Sequence, residues 1–147
     1  MRSLLLGLVL AAGIVGSLPA MAEDIAVSGA WIRATIPGQT GTGAYMTIRS
    51  STGARLVSVK AHVAGVAQVH EMVMNGSVMT MRPLAALELP PQKSVVLAPG
   101  GLHIMLQDLH HPLLSGEHVQ LILEVRSADG ETRQQFVDAE VRSVPPE

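Results

Sequence analysis

The residues best suited to chemistry fall in two short stretches. The first reads His70-Glu71-Met72-Val73-Met74-Asn75-Gly76-Ser77-Val78-Met79-Thr80-Met81, and the second Leu102-His103-Ile104-Met105-Leu106. Both combine imidazole nitrogen with thioether sulfur. That donor pair suits Cu(I), which favours soft ligands. Zinc, magnesium and calcium take thiolate, imidazole or oxygen and gain little from a thioether. Cysteine is absent from the sequence, so a blue-copper electron-transfer site lacks its thiolate. Thioether ligands cannot be lost to disulfide formation, although they can oxidise to sulfoxide. Serine, histidine and aspartate all occur, but no motif groups a nucleophile, a base and an orienting group, so a non-catalytic role is expected.

Local geometry predicts how these donors meet. Asn75-Gly76 between two strand-like runs favours a two-residue type I′ hairpin, in which both central residues need positive φ. With Asn75 and Gly76 as the loop, Met74 opposes Ser77, Met72 opposes Met79, and His70 opposes Met81. Opposed residues project to one face with Cβ atoms about 5 Å apart. In the second stretch, alternation assigns Leu102, Ile104 and Leu106 to the core and turns His103 and Met105 outward, side by side. Taken singly, each residue has an ordinary structural reading: a solvated histidine, or a methionine filling the core. Two His/Met pairs, each placed by independent local rules, point to one joint site of His70, Met81, His103 and Met105 for a single Cu(I). His62, His110, His111 and His118 are read as structural or solvated.

These stretches sit in a chain of short strands, expected over residues 27–36, 44–49, 56–63, 67–74, 77–81, 84–89, 94–97, 102–107, 119–126 and 132–141, with residues 38–43 as a Gly/Thr loop. Turn signals recur roughly every ten residues, the pattern of an all-β sandwich or barrel. Helical periodicity is not sustained anywhere after residue 22. The expected fold class is therefore all-β, in a single domain.

The N-terminus reads as a secretory signal. Arg2 precedes an apolar run over residues 4–15, and Ala20-Met21-Ala22 is a cleavage triplet. Cleavage after Ala22 would leave residues 23–147 as the mature domain in the periplasm. The run is short for a membrane span, and no cysteine precedes residue 23 to take a lipid. No later stretch approaches membrane length, so stable membrane insertion is not expected. The full sequence has net charge -2, and its aromatic residues are Trp31, Tyr45 and Phe136. Nucleic-acid binding lacks both its basic footprint and its stacking platforms.

The spacing His70, ten residues, Met81, twenty-one residues, His103-x-Met105 resembles the H-x10-M-x21-H-x-M signature of periplasmic PCuAC-type copper chaperones. Ala30-Trp31-Ile32-Arg33, Ala44-Tyr45-Met46, Val69-His70-Glu71, Met81-Arg82-Pro83, Pro99-Gly100-Gly101-Leu102-His103 and Leu113-Leu114-Ser115-Gly116 extend the resemblance over the mature chain. It implies a cupredoxin-like, Greek-key β-sandwich that binds Cu(I) and passes it on; the chain is expected to be a monomer. The recipient it implies is the copper centre of cytochrome c oxidase subunit II, or a thiol-bearing assembly factor. Some relatives carry a His- and Met-rich C-terminal extension, whereas this sequence reads Pro145-Pro146-Glu147 at that point. A periplasmic copper-storage or resistance protein would use the same residues and stands as the alternative. A metal-free sandwich would retain no Cu(I), and a redox enzyme would turn over a substrate.

Overall fold

Alternation makes the strands. Val119, Leu121, Leu123 and Val125 are buried, while His118, Gln120 and Arg126 are exposed. Val137, Ala139 and Val141 repeat the pattern. With side chains projecting to opposite faces at each step, such segments bury one apolar face only as strands. The computed structural model describes residues 25–147; the signal expected over residues 1–22 lies outside them. The described residues contain no helix. Ten strands form: β1 (Ile25–Arg33), β2 (Gly41–Ser50), β3 (Ala54–Ala61), β4 (Ala64–Asn75), β5 (Val78–Pro83), β6 (Leu87–Leu89), β7 (Ser94–Leu97), β8 (His103–Leu109), β9 (His118–Ser127) and β10 (Thr132–Arg142).

Hydrogen bonding links them in the order β5-β4-β8-β2-β1-β10-β9-β3-β6, with β7 joined to β2. The path curls until β3 lies alongside β4. Both halves then feed one core that includes Ile32, Ile48, Leu56, Ile104, Leu106 and Leu121. The all-β, single-domain reading holds. The β1–β10 pair is parallel, while the remaining strand-to-strand ladders are antiparallel.

One expected loop is strand. Residues 41–43 belong to β2, where Gly41 to Ala44 pair with Gln107 to Ile104 of β8. Composition suggested a loop because glycine is depleted in strands. Close approach of other groups explains the glycines here, as in strands generally. A Cβ on Gly43 would meet the Tyr45 hydroxyl and lie 2.7 Å from its Cζ; one on Gly41 would lie 3.2 Å from the Met105 Cε. The two glycines leave room for the side chains that flank the site.

Candidate metal centre

The β4–β8 ladder runs from Ala64 opposite Leu109 to His70 opposite His103. Past His70, β4 continues against β5 alone, so residues 71–82 form a hairpin arm that leaves the sheet at the two histidines.

The register of this arm differs from the sequence expectation. Asn75 pairs with Val78, Met74 with Met79, Met72 with Met81, and His70 with Pro83. The loop is Gly76-Ser77, not Asn75-Gly76. Gly76 has φ 67, whereas Asn75 and Ser77 are not in the positive-φ region. Positive φ at the first central residue alone, carried by glycine, is the type II′ pattern; type I′ would need it at both. The shift moves Met81 from opposite His70 to opposite Met72. It moves the pairing by two residues, so no side chain changes face. His70, Met72 and Met74 still share a face with Met79 and Met81.

His103 and Met105 lie on the face opposite Ile104 and Leu106, as alternation predicts, but His103 is not solvated. It is 7% exposed and His70 9%. Their ring centroids are 5.8 Å apart. His103 Nδ1 lies 2.9 Å from the Gly101 carbonyl oxygen. A carbonyl only accepts, so Nδ1 carries the proton and Nε2 presents a lone pair, the orientation a metal-binding imidazole needs. His70 Nδ1 is buried without a hydrogen-bond partner, and no other buried side-chain nitrogen or oxygen among the described residues is in that state. An unsatisfied buried polar atom costs about 1–3 kcal/mol, so it calls for a ligand or a functional reason. Burial, and then the charge of neighbouring His103, hold the His70 pKa below its usual value. The ring is thereby kept neutral, as a metal ligand must be.

Met72, Met81, His103 and Met105 line one open cleft of about 290 Å³, with Gly41, Gly43, Tyr45, Gly100 and Arg33 on its walls. The structure thus gathers Met81, His103 and Met105 around a shared space and sets His70 against His103. Met81 is 52% exposed, so the cleft opens to solvent on the arm side. Glu71 and Arg82, paired by an ion pair, lie on the other face of the arm. Sequence reasoning put Met72 on this face but opposite Met79; the observed register sets it opposite Met81, as a wall of the cleft. That reasoning missed Tyr45, packed on Trp31 with ring centroids 4.7 Å apart. Arg33 was missed too, having no local signal that links it to the site.

The family model described as "Putative lipoprotein LpqE-like" matches residues 25–137. Among curated proteins, "Putative lipoprotein Lxx21020" of Leifsonia xyli subsp. xyli (strain CTCB07) is 33% identical over 112 residues. That match covers 76% of this chain and 66% of the relative, just under two thirds of the relative's length. Among solved structures, the copper-bound PCuAC domain from PmoF2 superposes with a TM-score of 0.66 at 26% identity, covering 82% of this chain and 93% of that one. The solution structure of CuI-DR1885 from Deinococcus radiodurans gives 0.61 at 28% identity, covering 88% and 82%. The all-β architecture described above is that of these cupredoxin-like domains.

Proposed function

The chain belongs to the LpqE-like family, and from that premise we propose that it is an exported Cu(I)-binding chaperone. His70, Met81, His103 and Met105 are the proposed ligands of one ion per chain. The observation that carries this reading is the unpartnered, buried His70 Nδ1 on a ring set against His103, whose Nε2 is left free and which itself lines a cleft walled by thioethers. Two neutral imidazoles and two thioethers favour Cu(I) over zinc. Supporting it, the structural neighbours include a copper-bound PCuAC domain and a Cu(I)-loaded protein.

Copper is the cargo. His103 is oriented in advance by Gly101, and His70 is kept neutral by burial. Met81 stands half out of the protein on the arm. A recipient's ligands can reach the ion from that side while both imidazoles still hold it. Release then proceeds by associative exchange, with the thioethers leaving first. The proposed recipient is the copper centre of cytochrome c oxidase subunit II or a thiol-bearing assembly factor, met in the periplasm after cleavage following Ala22. Binding and transfer require no catalytic step.

Anaerobic Cu(I) titration with X-ray absorption tests the reading. Expected is one tightly held ion with mixed nitrogen and sulfur neighbours, transferable to an apo copper domain of the oxidase. An ion with oxygen and nitrogen neighbours alone, or equal retention of zinc, would overturn it.

A further inference from the structure

The hairpin arm carries four of the chain's eight methionines. Among the described residues, Met46 is the only methionine in the buried core. On the arm, Met74 opposes Met79 and Met72 opposes Met81. Strand alternation puts all four on the face that continues to His70. The opposite face carries Glu71, Val73, Thr80 and Arg82. In a hairpin closed by a two-residue loop, the closing pair Asn75 and Val78 is the hydrogen-bonded one, so the two methionine pairs occupy the alternate rungs, where opposed side chains stand closer. Successive rungs of that kind are about 7 Å apart along the strand. Met74 is 59% exposed and Met79 48%. Neither lines the cleft, and neither belongs to the core or packs against it.

We propose that Met74 and Met79 form a second, weaker soft-metal site at the tip of the arm, through which Cu(I) reaches and leaves the inner site by way of Met72 and Met81. This rests on the Cu(I) reading of the inner site. Two thioethers without an imidazole give a soft but incomplete ligand set, fit for a passing monocation rather than a resident one. The long, unbranched methionine side chain lets sulfurs on neighbouring rungs share an ion during its passage. No electron moves and no proton is exchanged; one thioether replaces another on the same ion. The tip raises the local concentration of copper beside the inner site, so it acts on rates and leaves the final affinity alone.

The test is a titration of the full chain with Ag(I), a redox-inert thioether-binding monocation, followed by methionine methyl resonances. The first equivalent should shift the Met81 and Met105 methyls, and further Ag(I) should shift those of Met74 and Met79 together. The double variant Met74→Leu, Met79→Leu should lose the second phase and keep the first. It should also load Cu(I) from a small-molecule donor about tenfold more slowly, because the local excess of ion is gone. If the Met74 and Met79 methyls stay still past one equivalent, the tip is no metal site; if they shift but the double variant loads at the wild-type rate, the tip lies off the ion's route; either outcome overturns the proposal. If Met74 and Met79 shift while Met81 and Met105 do not, the tip site stands and the inner-site reading fails.

Discussion

As a proposed ligand, His70 trades stability for binding. Its Nδ1 is buried with no partner, at a cost of about 1–3 kcal/mol when the metal is absent. His70→Leu should therefore leave the metal-free domain as stable as the wild type or more so, while lowering Cu(I) affinity at least about tenfold, or 1.4 kcal/mol. Urea melts beside competition with a chromogenic Cu(I) chelator read both quantities. A clear loss of metal-free stability would show that the ring makes a contact worth more than its desolvation. Among the sulfurs, Met81→Ala and Met105→Ala should each weaken binding by at least about tenfold, and Met72→Ala by less. Met72 lies directly opposite Met81 and shares its cleft, so the comparison is a close one. A larger effect at Met72 would make it the thioether donor in place of Met81.

The elements that place these donors are a turn and a pair of glycines. Gly76 sits at φ 67, where a side chain costs about 1–2 kcal/mol. Since the arm is held only by its own ladder beyond His70, Gly76→Ala should loosen it. Copper affinity should then fall more than global stability does, because Met81 sits on the arm and the core does not. Equal losses in both would mean that the arm folds as one unit with the sandwich. Gly43 plays a different part. Its position in β2, opposite Met105, leaves space for the Tyr45 ring, which is itself buried against Trp31. Gly43→Ala should force that ring to move and cost about 1–3 kcal/mol, as overpacking of a tight site does. A thermal melt is the check, and an unchanged midpoint would show that Tyr45 can swing away freely.

For the whole molecule the testable consequence is its response to pH. The His70 pKa is lowered by burial and then by His103, so the folded chain refuses a proton that the unfolded chain accepts. Stability from this group is full above the ordinary histidine pKa of about 6.5 and is lost as pH falls through the lower folded value. His118 acts in the opposite sense. Its hydrogen bond to Asp138, then the charge of that residue, raise its pKa. That contribution is present below about 6.5 and fades as pH rises through the folded value; solvent screens it, because the pair is exposed. Acidification should thus weaken the metal-free fold through His70, and copper release should set in below the range where free imidazole titrates. Melting and Cu(I) retention followed from neutral to mildly acid pH check both. Retention that does not change with pH would remove histidine from the ligand set.

The sequence by itself determined the ten strands and the faces of most of them, because period-two alternation of apolar residues is a local property. It also singled out the residues proposed here as copper ligands: the two His/Met pairs are legible from residue type and spacing, and parity kept Met81 and His70 on one face even though the turn was misplaced. Three things waited for the tertiary structure. The loop moved to Gly76-Ser77, since a type II′ turn satisfies one glycine where a type I′ turn demands positive φ of Asn75 as well. Residues 41–43 became strand, because pairing with β8 supplies what glycine's weak strand preference does not. The burial of His70 and His103 depends on two strands remote in sequence, β4 and β8, meeting at that rung of the ladder. No periodicity within either strand records where its partner ends, and it is there that the arm departs and the site lies.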